Sequence, residues 1–97
     1  MTAIVSEAVD TGSASASGKV NRGSFTVSIS GLADSTATVQ RSYDSGSTWL
    51  DVEAYTADAE KTGVEGEGAD YRVNITGGTD TGVAVRIGQK QGPSYFG

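Results

Sequence analysis

The sequence feature that most constrains the fold is a strict two-residue alternation over Ser24–Ser30. Phe25, Val27 and Ile29 occupy every second position, and Ser or Thr occupies the positions between them. Successive side chains of a β-strand point to opposite faces of the sheet, so the pattern predicts a strand with one buried face and one face in water. Gly31 ends this strand.

The same alternation recurs along most of the chain, with weaker versions at Ala3–Val9 and Ala59–Gly63. No segment shows the 3.6-residue period of a helix. About seven short strands separated by turn residues are typical of an antiparallel β-sandwich, immunoglobulin-like in outline. The other alternating segments are Thr36–Tyr43, the row Leu50, Val52 and Ala54, the row Tyr71, Val73 and Ile75, and the row Val83, Val85 and Ile87.

Composition agrees with an all-β chain. Val and Ile number 14 against two Leu, and β-branched side chains pack well on a pleated sheet. A length of 97 residues corresponds to one domain with a modest core. The predicted core residues are Phe25, Val27, Ile29, Val39, Val52, Val73 and Val85.

Three stretches are predicted to lie outside the strands. Residues 10–23 are rich in Ser, Ala and Gly and are interpreted as a loop or arm. Residues 62–70 carry Glu65, Glu67 and Asp70 among glycines, which indicates a solvated acidic turn. Residues 92–97 form a C-terminal tail, because Pro93 cannot donate to a sheet ladder.

The chain contains no His and no Cys, which excludes several kinds of chemistry. A Ser-His-Asp or Cys-His nucleophile, a thiolate or imidazole zinc site and a disulfide each require one of these residues. A net charge of −5 with scattered cations argues against nucleic acid. No apolar stretch approaches the ~20 residues that span a bilayer, and the first residues lack an export signal. We expect no cofactor, no metal, no membrane contact and synthesis in a cytoplasm.

One motif stands out between two predicted strands. Residues 42–49 match the Asp-box pattern S-x-D-x-G-x-T-W at Ser42, Asp44, Gly46, Thr48 and Trp49. We interpret it as a structural hairpin turn. Asp44 would accept backbone N–H groups, Gly46 would adopt a positive φ, Thr48 would start the return strand and Trp49 would pack beneath the loop.

Two patterns have a catalytic or ligand-binding interpretation as well as a structural one. Asp10-Thr11-Gly12 and Asp80-Thr81-Gly82 spell the D-T-G of aspartic proteases, whose paired carboxylates need neither His nor Cys. Asp10 lies in a stretch of low complexity that follows no strong apolar strand, and Asp80 lies in a glycine-rich segment that is typical of a turn, so a structural role is favoured for both. The acidic residues of 62–70 could hold a hard cation, yet they lack the ligand spacing of a calcium loop.

Arg41 occupies an apolar position of its strand. Long basic side chains lay their aliphatic stems over apolar surface while the charged group finds a partner. We predict that Arg41 pairs with Asp51 or Glu53 across the hairpin.

The segments just described resemble a group of small tailed-phage proteins. The resemblance covers residues 24–87, about two thirds of the chain, and is most specific in Val39–Trp49, Tyr71–Ile75 and Val83–Ile87. It implies a single β-sandwich accessory protein of the virion that is not an enzyme. Its expected place is the outer face of the capsid, as a decoration (cement) protein bound to the major capsid protein, with a head-fibre or tail component as the alternative.

The tail suggests how such a domain is held on a shell. Tyr95 and Phe96 lie beyond Pro93, and adjacent aromatics suit an interface anchor. We predict that they contact the capsid or sister subunits, arranged as a trimer, although they could instead fold back over the sandwich edge. The rival from another class is a carbohydrate-binding module with Tyr43, Trp49 or Tyr55 on an exposed platform.

Overall fold

The alternating segments form strands in the computed structural model, which describes residues 2–89. The prediction of an all-β chain is confirmed, and no helix occurs within these residues. Nine strands replace the predicted seven or so. They are β1 (Thr2–Val9), β2 (Ser13–Ala14), β3 (Gly18–Val20), β4 (Gly23–Ser30), β5 (Thr36–Ser42), β6 (Leu50–Tyr55), β7 (Ala59–Glu65), β8 (Ala69–Thr76) and β9 (Val83–Gln89).

The strands build two antiparallel sheets. One has the order β1-β9-β4-β7, and the other has the order β2-β8-β5-β6 with β3 also paired to β8. Strand β9 therefore lies between β1 and β4. In an immunoglobulin domain the last strand instead shares a sheet with the strand that precedes it. The two packed sheets are as predicted, whereas this strand order differs from the immunoglobulin outline.

The core lies between the two sheets and consists mainly of the alternating residues. Strand register places Val27 opposite Ile87 in the first sheet, and Val39 opposite Val73 in the second. Six of the seven predicted core residues are buried, namely Phe25, Val27, Ile29, Val39, Val73 and Val85.

The prediction that Val52 belongs to the core is wrong. Its side chain is 51% exposed, and Leu50 and Ala54 of the same predicted inward row are exposed as well. Val39 pairs with Glu53 but Gln40 pairs with Asp51, so Val52 is the extra residue of a β-bulge. A bulge breaks the alternation of faces, and β6 is an edge strand with no further strand to cover it.

The interpretation of residues 10–23 as a loop or arm is also wrong where β2 and β3 form. Both short strands pair with β8, and Val20 is fully buried. Between them the backbone of Ser15 donates to the Val73 carbonyl over 2.8 Å. The Ser15 hydroxyl accepts the Val73 N–H over 2.9 Å, which continues the pairing through the interruption.

The sandwich has two edges that differ in construction. At the closed edge, β1 of the first sheet contacts β3 of the second. A Cβ atom on Gly18 would overlap Ile4 and lie 2.9 Å from Val5, so the absence of a side chain allows the strands to approach. At the open edge, β6 and β7 are the last strands of their sheets.

Candidate functional site

The Asp-box residues lie together in a tight turn between β5 and β6. The Ser42 hydroxyl donates to Asp44 over 2.7 Å and accepts the Gly46 N–H over 2.9 Å, while Asp44 accepts the Thr48 N–H over 2.8 Å. Gly46 has a φ of 94°. The hydrogen bonds from Ser42 and Thr48 hold the pKa of Asp44 below its ordinary value. The return strand starts at Leu50, so the prediction that Thr48 starts it is wrong.

Two arginines stack on the aromatic residues of this turn. The guanidinium carbon of Arg41 lies 4.6 Å from the ring centre of Tyr43, and that of Arg72 lies 4.3 Å from the ring centre of Trp49. Trp49 is half-buried, and Gly46 lies against its ring. Each ring thus has a cation over one face, an arrangement that favours a rigid turn.

The prediction for Arg41 is wrong. The Asp51 carboxylate accepts a hydrogen bond from the side-chain amide of Gln40. The guanidinium of Arg41 instead lies 3.6 Å from the carboxylate of Glu65. Arg41 also donates to the Tyr71 hydroxyl over 3.5 Å. The pair joins β5 of one sheet to β7 of the other.

Glu65 itself is not part of a solvated turn, because its side chain is only 1% exposed. It accepts the Tyr71 hydroxyl over 2.6 Å and the N–H groups of Glu67 and Gly68 over 3.1 and 3.0 Å. Burial raises the pKa of Glu65, but these donors and the nearby Arg41 outweigh it and hold the pKa below the ordinary value. The sequence did not reveal this buried link between the sheets.

The two D-T-G segments meet at the opposite end of the sandwich. The Thr11 N–H donates to the Asp80 carbonyl, and the Gly82 N–H donates to the Asp10 carboxylate. One Asp80 oxygen accepts three consecutive N–H groups, from residues 33, 34 and 35. These hydrogen bonds lower the pKa of Asp80, and the bond from the Ala33 N–H has the largest effect. In a protease dyad two carboxylates share one proton, whereas here each carboxylate accepts backbone N–H groups of a neighbouring loop, which is a structural role.

Most of the large apolar side chains that are exposed in residues 2–89 lie on the β5–β6 hairpin. Four large apolar side chains are exposed within residues 2–89, and three of them belong to this hairpin: Tyr43, Leu50 and Val52, at 52%, 52% and 51%. The fourth, Val64, is 74% exposed on β7. We call Tyr43, Leu50 and Val52 the hairpin patch.

An apolar groove opens next to the hairpin patch, between β6 and β7. Its floor consists of the core residues Phe25, Val27 and Val39, and its rim includes Val52 and Tyr55. Burial of Tyr55 is the main cause that raises its pKa to about 12, and the nearby Glu53 carboxylate adds to the effect. A volume of about 80 Å³ is far below the roughly 300–1,000 Å³ of small-molecule sites, so the groove suits a single side chain.

The described residues leave some predictions open. Tyr95 and Phe96 lie outside residues 2–89, so their predicted contacts are untested. In the described part of the chain, no three or more acidic side chains are arranged to hold a metal ion. Residues 2–89 also include no helix that is long and apolar enough to cross a membrane.

Comparisons with known proteins add no relative. No protein family, no curated protein and no solved structure matches this chain.

Proposed function

We propose that this protein is a non-enzymatic component of a phage virion that decorates the outer face of the capsid, bound to the major capsid protein and to sister subunits. The hairpin patch is the observation that carries this proposal. Exposed apolar residues that cluster on one element of a small domain mark a protein-binding surface, and the Asp-box turn and the stacked arginines hold this element rigid. The phage assignment itself rests on the resemblance of residues 24–87.

The proposal is tested on purified particles of the phage that encodes the chain. Quantitative mass spectrometry should find the protein in tail-less heads at a constant ratio to the major capsid protein. The double variant Tyr43→Ser/Leu50→Asp should lower that ratio severalfold, because it removes apolar contact area. Val64→Asp, which changes an exposed apolar residue on the other sheet, is the matched control and should leave the ratio unchanged.

Other outcomes would overturn the proposal. Absence from particles would exclude a virion role, and presence only in tail fractions would favour the head-fibre or tail alternative. Equal loss in both variants would show that the hairpin patch is not the attachment surface.

The carbohydrate-binding alternative is favoured by one observation, the half-exposed ring of Tyr43. Against it, Arg41 and Arg72 each cover one face of an aromatic ring that would stack on a sugar. A glycan array tests it directly. Binding that the Tyr43→Ser variant loses would support this alternative.

A further inference from the structure

The two edge strands of the open edge each carry a charged side chain at an inward position. Glu53 of β6 is paired with the buried Val39, and Lys61 of β7 is paired with the buried Val27. Paired residues of neighbouring strands project from the same face of a sheet, so both charged residues lie on the face that holds the core. Both are nonetheless exposed, because no further strand lies beyond β6 or β7 in residues 2–89.

These two side chains line the groove between β6 and β7. The floor residues Phe25, Val27 and Val39 are at most 6% exposed, so the groove needs no further segment to cover it. A long charged side chain lays its aliphatic stem over apolar surface and keeps its charge in water. The open edge therefore ends in two opposite charges, Glu53 on one sheet and Lys61 on the other, and both require access to water.

We propose that Glu53 and Lys61 prevent the open edge from pairing with an edge strand of a second copy of this chain. An edge strand presents unpaired N–H and C=O groups that template such pairing, and inward charges are one means by which native proteins block it. A strand added beyond β6 or β7 would cover the groove and take these charges out of water. Attraction between the two charges does not repay that cost, because a buried ion pair is often less stable than apolar residues of similar volume. The proposal does not depend on the virion assignment.

Lys61 should matter more than Glu53, because β7 is the more regular of the two edge strands. Strand β7 pairs with β4 without a register shift, whereas β6 is shorter and contains the bulge at Val52. A bulge by itself disfavours pairing at an edge. The other inward side chains of β7 would not hinder a second strand, since they are small or buried: Ala59, Gly63 and Glu65.

Sedimentation velocity on the full-length protein tests the proposal, with Lys61→Val as the main variant. We expect this variant to associate with an affinity more than about tenfold above that of the wild type, because valine removes the charge and favours a strand. Hydrogen exchange should show that the amides of β7 gain protection as the protein concentration rises. Lys61→Arg keeps the charge and should behave as the wild type does. A monomeric Lys61→Val variant, or a wild type that already pairs through β7, would overturn the proposal.

Glu60→Val is the matched control on the same strand. Glu60 is exposed and pairs with Ser28, so it lies on the outward face of the sheet, and its replacement should not promote association. Net charge works against the expected result. Lys61→Val changes it from −5 to −6 and Glu60→Val changes it from −5 to −4, so repulsion between copies is stronger in the variant that should associate. Equal association of the two variants would show that any added valine suffices, which would overturn the proposal.

Three further measurements complete the test. If Lys61→Val does not stay soluble, Lys61→Thr replaces it and should associate at concentrations at which Glu60→Thr does not. Concentration-dependent protection in β1 and β3, and not in β7, would place the contact at the closed edge and overturn the proposal. Glu53→Val should also raise the affinity between copies, by less than Lys61→Val does, and an unchanged affinity would overturn the proposal for Glu53.

Discussion

The closed edge and the open edge end the same hydrophobic core by different means. At the closed edge, Gly18 makes room for Ile4 and Val5, and the Ala16 N–H donates to the Glu7 carboxylate on the facing strand. At the open edge, the bulge at Val52 leaves a groove, and the sheets are joined by the buried Glu65. Close packing around Gly18 therefore brings the sheets together at one edge, whereas a buried carboxylate paired with an arginine joins them at the other, so different perturbations should disrupt the two edges.

The largest expected effect is at the closed edge. Gly18→Val places atoms where Ile4 and Val5 already lie, so the free energy of unfolding should fall by about 3 kcal/mol. Chemical denaturation measures this loss. Gly66→Val is a control, because no atom lies within 4 Å of a Cβ at that position. A loss of similar size in both variants would show that the glycine-to-valine change itself lowers the free energy of unfolding, and that crowding at the closed edge is not the cause.

The next effect is at the open edge and depends on pH. Glu65→Gln removes the charge that accepts Tyr71 and two N–H groups, at a cost of about 2 kcal/mol at neutral pH. The pKa of Glu65 is lowered in the folded protein. Its contribution is therefore complete above the unfolded value of about 4.3 and is lost as the pH falls through the folded pKa.

Denaturation from pH 7 to pH 2 should accordingly show the variant approaching the wild type in acid. Amide exchange in acid should rise in β7 before it rises in β1 and β9. A difference between wild type and Glu65→Gln that stays constant over this range would mean that ionisation of Glu65 does not hold the open edge. Asp44 and Asp80 titrate in both proteins, so the comparison cancels them.

A smaller loss is expected from Ser15→Ala beside the closed edge. The change leaves the buried Val73 N–H without its acceptor, which costs about 1–2 kcal/mol. Thermal unfolding should show a lower midpoint than for Ser17→Ala, an exposed position in the same interruption. Equal midpoints would mean that the Val73 N–H finds another acceptor.

The smallest effect should come from Gly63→Ala at the open edge. The new Cβ would lie 2.9 Å from the tip of the Phe25 ring, but that ring faces the groove and has room to move. The loss of stability should stay below about 1 kcal/mol, because alanine also restricts the unfolded chain. Gly18→Ala is the matched variant at the closed edge, and an equal loss in the two alanine variants, measured by chemical denaturation, would show that the open edge is as tightly packed as the closed one.

Burial was predicted correctly on strands where alternate residues of the sequence also point alternately into the core and into solvent. Phe25, Val27 and Ile29 lie on a regular strand flanked by β7 and β9, so their two-residue period translates directly into burial. Val52 has the same period but sits in a bulge on an edge strand. Nothing local to the sequence shows where a register shift occurs, because the shift depends on pairing with β5.

Long-range contacts account for the other differences. Apart from Val20, residues 10–23 lack apolar side chains larger than Ala, and their pairing depends on Ser15 and Gly18 fitting against distant strands. Arg41 and Glu65 are 24 positions apart, so their contact follows from the arrangement of the sheets. The Asp-box turn could be predicted because its hydrogen bonds stay within seven residues of sequence.

The position of β9 also has a consequence for synthesis. This strand lies between β1 and β4, and the Gln89 amide both accepts from and donates to the backbone of Asn21. The first sheet therefore cannot form completely until β9 has left the ribosome, although β1 and β4 emerge before it. We expect the facing edges of β1 and β4 to stay unpaired in the nascent chain until β9 has emerged.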